Sequence, residues 1–353
     1  MTGFNPEMLI LAREFRGMTQ TSLAEAIDAK QGTMSKIEAG LQSPETFLQK
    51  ICAELGFPAE FFQQEDRIYG FNSAVFFHRK RHALSDKILR KLHAAMNIAR
   101  MRVHRLVRSM PETLETFSFR RIEVAEHRDG AEGVARMARA MWHVPPGPIR
   151  NMTEVIESAG GVIVPMDFGT RQADAISEWI PGFPPIFLAN SGGDITGDRL
   201  RLTLAHELGH VLMHSFPDAE MEEQANTFAA EFLMPRREIK ASLYNLTLAK
   251  LAQLKRIWKV SMAALIQRAH DLNTISDNQR RYLFMALSKR GQRLREPEGT
   301  DVAIERASRL KQLAQAHAEI GYSVSDLMKL LLLNDENELR TCYLGVNQLR
   351  LIS

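Results

Sequence analysis

The sequence predicts a mainly α-helical protein of α+β class, with one small β-sheet near its middle. Apolar residues recur every three or four positions through residues 7–62 and most of residues 240–353, which is the period of an α-helix. Between residues 161 and 190, three short β-branched or aromatic runs are bounded by Gly, Pro and Asn, as strands are. The expected order is an N-terminal five-helix domain, a helical linker, an α+β core with the sheet, and a helical C-terminal region.

The composition describes an ordinary globular protein with room for two or three domains. The 353 residues are 45% hydrophobic and 25% charged, which is enough to form sizeable cores. The net charge is only +3, so any affinity for nucleic acid has to come from a local patch. Two cysteines, Cys52 and Cys342, argue against a disulfide framework and suit a reducing cytoplasm. We expect neither a signal peptide nor a membrane span, because no long apolar run is present.

Two short helices near the N-terminus have the spacing of a helix-turn-helix unit. Thr19 is suited to be the N-cap of a helix that runs to Ile27. A short turn follows, and a second helix is expected over residues 31–39, where Gly40 ends it. A generic helical bundle is the alternative, because the exposed residues are polar but carry little charge.

Over residues 7–62 the sequence resembles the Xre/Cro-type helix-turn-helix family of DNA-binding domains. The resemblance implies that the second helix enters the major groove of an operator and that the protein binds as a dimer. It also implies a buried Met34 and a buried Ile37. The implied DNA contacts are bases for Gln31, Thr33 and Lys36, phosphates for Gln20 and Ser35, and a close approach at Gly32.

A basic segment follows this domain. Residues 79–108 hold ten Lys or Arg residues and one acid, Asp86. Apolar residues step by three or four from Leu84 to Leu106, so we expect a long amphipathic helix with a basic outer face over residues 84–108. Two roles stay open. In one, the helix forms a dimer interface or makes extra phosphate contacts. In the other, it is a linker helix whose basic face is solvated.

The stretch TLAHELGHVLMH, residues 203–214, contains the pattern His-Glu-x-x-His on a helix expected over about residues 197–215. Residues four apart share one helix face, so His206 and His210 can direct both imidazoles at one ion. Glu207 lies beside that face, where its carboxylate can act as general base toward a water. Catalytic zinc takes three protein ligands and keeps a position for water. A surface helix with two histidines is the alternative.

A third ligand is expected from the next helix, over about residues 219–234. His214 shares the His206/His210 face, but three residues at i, i+4 and i+8 diverge too far to meet at one ion. We expect His214 to be structural and to line the cleft. The carboxylates available on the next helix are Glu220, Glu222, Glu223 and Glu231.

The segment from about residue 130 to residue 270 resembles the ImmA/IrrE family of bacterial zinc metallopeptidases. The resemblance rests on RLTLAHELGHVLMH followed by EEQANTFAAEFLMP. In that family the glutamate four residues before the Asn of the second signature is the third ligand, which implies Glu222 before Asn226. The family often has Glu where this chain has Gln224, outside the ligand set. The resemblance further implies a zincin-like core and a protein substrate, commonly a helix-turn-helix repressor.

Residues 248–272 are predicted to form a helix, a turn at residues 259–261, and a second helix. They resemble the helix-turn-helix-like segment that follows the peptidase core in the same family. We expect them to pack against the metal domain, with Trp258 and Leu265 in the core, and a second DNA-binding site is the alternative. The last eighty residues carry no motif that we recognise.

These features predict four consecutive domains and one combined function. The domains are a helix-turn-helix domain at 1–66, a basic helical linker or dimerisation region at 67–130, a zinc metallopeptidase core at 131–240, and a helical C-terminal region at 241–353. The expected function is a DNA-binding transcriptional regulator whose zinc endopeptidase domain cleaves a repressor or partner protein in a stress, phage or mobile-element response. The expected partners are an operator DNA duplex, a protein substrate and a second copy of the chain, in a bacterial cytoplasm and on the nucleoid. Zinc is the expected cofactor, with manganese as the alternative because imidazole–carboxylate ligation is permissive.

Two other classes of protein fit the same residues. One is a non-catalytic regulator in which the zinc fold senses a metal or ligand. The other is the antitoxin-like half of a two-gene module. The presence of Glu207 argues mildly against a purely structural metal site, because such a site needs no base beside its ligands.

Overall fold

The computed structural model describes residues 3–69, 84–110, 118–193, 195–292, 296–297 and 299–345. Three residues counted in the basic segment, Arg79, Lys80 and Arg81, lie outside the described residues.

Sixteen α-helices and three strands occur in these described residues, which confirms the mainly α prediction with a small sheet. The helices before the sheet are α1 (Pro6–Phe15), α2 (Gln20–Ala26), α3 (Gln31–Glu38), α4 (Leu48–Leu55), α5 (Asp86–Arg108), α6 (Gly130–Met141) and α7 (Met152–Ser158). The strands are β1 (Val162–Met166), β2 (Ala175–Glu178) and β3 (Ile186–Asn190). The helices after the sheet are α8 (Gly197–Met213), α9 (Met221–Leu233), α10 (Arg236–Ile239), α11 (Leu248–Trp258), α12 (Met262–Asp271), α13 (Asp277–Lys289), α14 (Arg309–Glu319), α15 (Val324–Leu331) and α16 (Glu336–Glu338).

The chain folds into two compact units. The terminal unit comprises Met1–Thr116, Phe168–Gln172 and Ser308–Ser353, and the central unit comprises Phe117–Asp167 and Ala173–Ala307. Both ends of the chain therefore contribute to one unit, while the segment with the His-Glu-x-x-His pattern lies in the other. The four consecutive domains stay a prediction of the sequence.

Helices α1 to α4 pack around a buried apolar core in the terminal unit. Leu23, Met34 and Ile37 are completely buried in it. Thr19 caps α2 as predicted, because its hydroxyl accepts a hydrogen bond from the backbone N–H of Ser22. Helix α3 begins at the predicted residue and ends before Gly40, whose positive φ of 71° is a backbone conformation that glycine adopts without strain.

Helix α5 corrects one sequence prediction. The basic outer face is wrong for the middle of the helix, because every residue from Leu92 to Val103 is buried. Arg100 lies in this stretch and donates to the backbone carbonyl of Arg67 at 2.8 Å. Its guanidinium also lies over the ring of Tyr69, 4.3 Å from the centroid. The pattern of charges along α5 does not reveal such partners, since they come from another segment of the chain.

Arg102 explains how a second arginine of α5 is accommodated. Its guanidinium pairs with Glu338 at 2.6 Å and donates to the carbonyl of Leu331 at 3.1 Å. Leu332 packs into the same core as Ala94 of α5. The C-terminal helices thus complete the apolar and polar environment of α5 within the terminal unit.

The central unit contains a three-stranded sheet with the strand order β1–β3–β2. Strand β3 lies in the middle, parallel to β1 and antiparallel to β2, with Val162 opposite Ile186 and Ala175 opposite Ala189. All residues of β3 are buried, as its uninterrupted apolar sequence indicates. Helix α8 packs against β2 and β3, so the sheet supports the helix that carries the His-Glu-x-x-His pattern.

Helices α11 and α12 match the predicted helix–turn–helix at residues 248–272. Lys259 ends α11 in the left-handed region, with φ 54°, and Ser261 caps α12. Trp258 and Leu265 belong to the core of the central unit, as predicted. The second DNA-binding site stays an untested alternative.

Among the described residues, the structure contains no helix that is both long enough and apolar enough to cross a membrane.

The pair between Arg102 and Glu338 provides a test of the terminal unit. We expect Glu338→Ala to lower the free energy of unfolding of this unit by about 3 kcal/mol, because it leaves a buried guanidinium without its carboxylate. Hydrogen exchange of α5 peptides under increasing urea measures the change. Glu336→Ala is the matched control, since Glu336 pairs with Arg340 on the surface, where such pairs contribute about 0.3–0.5 kcal/mol. Equal effects of both substitutions would contradict the role of Arg102.

Candidate metal centre and nucleic-acid interface

Helix α8 brings two imidazoles together. His206 and His210 are one turn apart on this helix, and their ring centroids are 4.7 Å apart. The two Nε2 atoms are 3.0 Å apart, so both rings direct the same nitrogen at one point. His210 is buried, whereas His206 is partly exposed at the edge of the site. This arrangement is the one that the four-residue spacing predicts.

Glu222 of α9 completes the cluster. Its carboxylate oxygens lie 3.5 Å from Nε2 of His206 and 3.7 Å from Nε2 of His210. Of the four glutamates that the sequence offered as a third ligand, only Glu222 lies with the two histidines in the described cluster. Glu231 is buried and paired with Arg268, while Glu220 accepts from Gln224.

The three side chains fit a metal ion by chemistry and by spacing. Two imidazole nitrogens and one carboxylate are a ligand set that zinc uses in hydrolytic sites. With metal–ligand bonds of about 2.0–2.1 Å in a tetrahedron, donor atoms are about 3.3 Å apart. The observed separations of 3.0, 3.5 and 3.7 Å bracket that value. The donors are thus spaced for a common ion.

Glu207 is buried beside the cluster and fixed by a strand of the sheet. Only 1% of its surface is exposed. Ser177 of β2 donates its hydroxyl hydrogen bond to Oε2 of Glu207 at 2.8 Å. Our sequence reasoning missed Ser177, since an isolated serine in a strand thirty residues before the motif gives no signal. The bond holds the carboxylate in one orientation.

A second set of polar partners surrounds the imidazoles. Nδ1 of His206 lies 2.9 Å from Oδ1 of Asn226, and Nδ1 of His210 lies 2.9 Å from Nδ1 of His214. The sequence assigned no role to Asn226 beyond its place in the signature. His214 is buried and contacts a candidate ligand directly, and its structural role stays a prediction. Burial lowers the pKa of His214, which favours its neutral ring.

Arg121 fixes the C-terminal end of α8. Its Nη1 donates to the backbone carbonyls of His210, Val211 and His214, at 3.1, 2.6 and 2.6 Å. The guanidinium also lies 4.9 Å from the ring centroid of Trp179. Burial lowers the pKa of Arg121 to about 10, so the side chain keeps its charge at neutral pH. A cation at this end of a helix is favourable to the helix dipole.

The segment that contains the candidate metal centre matches a known protein family. Residues 156–270 match the family model of Peptidase_M78, the IrrE N-terminal-like domain. The match covers the sheet, α8, α9, α11 and all but the last residue of α12. It supports a metallopeptidase-type domain, a class whose usual metal is zinc. Among curated proteins, no match to the chain is found.

The predicted DNA-reading residues lie at the beginning of α2 and on α3. Gln31 and Gly32 begin α3 and are exposed, as is Lys36 one turn later, while Thr33 and Ser35 are partly exposed. Met34 and Ile37 face the core, as predicted. The exposed side of α3 therefore carries polar side chains with hydrogen-bonding groups.

A polar network connects α2 and α3. Gln31 donates to Oε1 of Gln20 at 3.0 Å, and Gln20 donates to Oε2 of Glu38 at 2.7 Å. Arg13 of α1 forms two hydrogen bonds with the same carboxylate, at 2.5 and 3.0 Å. The network holds Gln20 and Gln31 in fixed positions at neighbouring helix ends, so less side-chain freedom is lost when either binds a ligand.

The metal centre provides a matched test of Glu222. We expect Glu222→Gln to weaken zinc binding, because it removes one of three charged or basic donors. The expected loss exceeds the roughly 10- to 100-fold that is typical when a hydrogen-bond partner of a metal ligand is removed. Glu223→Gln changes the neighbouring exposed residue and is expected to leave affinity unchanged. Competition with a chromophoric chelator measures both. Equal affinities of the two variants would exclude Glu222 from the ligand set.

Proposed function

We propose that this protein is a DNA-binding transcriptional regulator with a zinc-dependent endopeptidase domain. The observation that carries the proposal is the convergence of His206, His210 and Glu222 on one point, beside the buried carboxylate of Glu207. A purely structural metal site does not require a carboxylate of this kind beside its ligands. The match of residues 156–270 to a peptidase family supports the same chemistry.

The proposed ligands are His206, His210 and Glu222. A zinc ion bound there would lower the pKa of a water and polarise a peptide carbonyl. Glu207 accepts a proton from the attacking water on its carboxylate and later delivers it to the departing amine. Ser177 donates to Oε2 of Glu207 and so limits the rotation of the carboxylate during both transfers.

The burial of Glu207 supports its role as general base. A carboxylate that is 1% exposed is shielded from bulk water. Its charge therefore acts on a neighbouring proton with little screening. The hydrogen bond from Ser177 holds this carboxylate in place beside the cluster. The peptide nitrogen leaves as an amine after it receives that proton.

DNA binding is proposed for α2 and α3 of the terminal unit. The fixed position of Gln31 supports this role, because a preorganised amide can form two hydrogen bonds to an adenine edge, while Gln20, which holds it, is the proposed phosphate contact. Lys36 is exposed one turn further along α3 and suits a guanine. A dimer would bring two such helices to successive half-sites of an operator.

The proposed substrate is a protein bound near the same DNA, such as a helix-turn-helix repressor, or the chain itself. Cleavage of a peptide bond is irreversible in the cell, which makes it suited to a switch in a stress, phage or mobile-element response. We place this activity in a bacterial cytoplasm, at the nucleoid. Zinc is the proposed metal, with manganese as the alternative.

Glu207→Gln tests the peptidase chemistry. We expect the variant to bind one zinc ion as the wild type does and to produce no cleavage fragments, because an amide cannot accept the proton. Intact-mass analysis of the chain measures cleavage after incubation with zinc, with and without duplex DNA. The product of the neighbouring gene is included in parallel. Glu223→Gln is the control and is expected to cleave like the wild type.

Each outcome of that experiment has a definite reading. Fragments that form with the wild type and not with Glu207→Gln establish a peptidase, and their masses locate the scissile bond. Identical fragments from both proteins contradict the role of Glu207. If the wild type stays intact with one zinc ion bound, the proposal of a peptidase is replaced by that of a non-catalytic sensor of metal or ligand.

Gln31→Ala tests the DNA-binding role. At the duplex sequence that the wild type selects from a random library, we expect a loss of about 1–3 kcal/mol, or roughly 5- to 150-fold in affinity, since one bidentate base contact disappears. Gln49→Ala, on the exposed side of α4, is the matched control. Fluorescence anisotropy at a fixed salt concentration measures both. A normal affinity of Gln31→Ala would remove this residue from the interface.

A further inference from the structure

A chain of hydrogen bonds extends from His210 away from the candidate metal centre. Nδ1 of His210 lies 2.9 Å from Nδ1 of His214. Nε2 of His214 lies 2.9 Å from Oε1 of Gln224, and Nε2 of Gln224 donates to Oε2 of Glu220 at 3.3 Å. His210 lies in α8 and His214 directly follows it, while Glu220 directly precedes α9 and Gln224 lies in its first turn, so the chain connects both helices of the site.

The direction of this chain is determined from its outer end. The amide nitrogen of Gln224 faces Glu220, because it donates to the carboxylate oxygen Oε2 there. The amide oxygen of Gln224 then faces His214 and can only accept, which places the proton of His214 on Nε2. The Nδ1 atoms of His214 and His210 lie 2.9 Å apart, so one of them donates and the other accepts, and with the proton of His214 on Nε2 its Nδ1 is the accepting atom.

The tautomer of His210 follows from that of His214. Because Nδ1 of His214 is bare, the proton shared between the two Nδ1 atoms belongs to His210. His210 therefore directs an unprotonated Nε2 at Glu222 and His206, and a bare nitrogen is what a metal requires. Nδ1 of His206 lies 2.9 Å from Oδ1 of Asn226, an atom that can only accept, so His206 also carries a proton on Nδ1.

Both histidines thus direct the same ring nitrogen, Nε2, at the point where Glu222 also lies, and the two Nε2 atoms are 3.0 Å apart. We propose that Glu220, Gln224 and His214 form a directional relay that sets the tautomer of His210 for metal binding. The proposal deepens the proposed function and rests on its metal site. His214 and Gln224 are positioning residues, because they act on the metal through His210.

His210 is fixed by more side chains than His206 is. Asn226 fixes His206 by a single hydrogen bond, whereas three side chains in series fix His210. A change at Gln224 is therefore transmitted to a ligand that it does not touch. Outer partners of metal-bound histidines typically contribute about 10- to 100-fold in metal affinity.

The first arm of the test measures tautomers in the metal-free full chain. The eleven histidines are labelled with ¹⁵N, and long-range ¹H–¹⁵N spectra report which ring nitrogen carries the proton. The signals of His210 are assigned by their loss in His210→Asn. We expect His210 to carry its proton on Nδ1 in the wild type, and Gln224→Leu to populate the Nε2–H form. A wild-type His210 protonated on Nε2 would overturn the relay.

The second arm measures affinity for Co²⁺ and Zn²⁺ by competition with a chelator. Gln224→Leu removes the acceptor with little change in size, and we expect it to weaken binding roughly 10- to 100-fold. Gln224→Glu restores an acceptor and is expected to bind at least as tightly as the wild type. Gln253→Leu, on the exposed side of α11, controls for the loss of a glutamine.

The two arms distinguish failure of the relay from failure of the proposed function. A wild type that takes up no metal but shows the proton of His210 on Nδ1 contradicts the peptidase and leaves the relay standing. Wild-type metal affinity in Gln224→Leu overturns the relay whatever the peptidase result. The relay is also overturned if Gln224→Leu loses metal affinity, Gln224→Glu does not restore it, and the thermal unfolding of both metal-free variants is unchanged.

Discussion

The close approach of α8 and α9 is the constraint on which the candidate metal centre depends. A Cβ atom at Gly209 would lie 3.1 Å from Cδ1 of Phe228 and 3.3 Å from Cα of Ala225, both on α9. Glycine therefore permits a contact between the two helices that a larger residue would resist. Gly209 directly precedes His210, so the contact occurs at the same level as the candidate ligands. Without it, the carboxylate of Glu222 would lie further from the histidine pair.

The other ends of these helices are fixed by buried ion pairs with α11 and α12. Asp198, at the start of α8, pairs with Lys255 at 2.7 Å, and both side chains are 4% exposed. Glu231, near the end of α9, pairs with Arg268 of α12. Removal of one partner of such a pair is costly, because the remaining charge stays buried. The predicted helix–turn–helix at residues 248–272 thus stabilises the two helices of the metal centre, which is consistent with a family match that extends to residue 270.

Local sequence patterns predicted much of the fold and the site. The features that were not predicted depend on contacts between residues distant in sequence. The four-residue spacing of His206 and His210 and the cap at Thr19 depend only on neighbours along a helix, so both were predictable. The orientation of Glu207 depends on Ser177, a strand residue whose position no helical pattern encodes. The buried arginines of α5 were assigned to a solvent face for the same reason. Arg102 finds its carboxylate 236 residues later in the chain.

The terminal unit is formed by segments that precede and follow the central unit in the chain, and this imposes an order on biosynthesis. Leu332 belongs to the same apolar core as Ala94, Ile98 and Met101 of α5. Residues 308–353 emerge from the ribosome after the whole central unit, at about 5–20 residues per second. During that interval the apolar side of α5 lacks its final cover and is open to chaperones or to aggregation. The apolar core that supports α2 and α3 is therefore complete only after Leu332 has been synthesised.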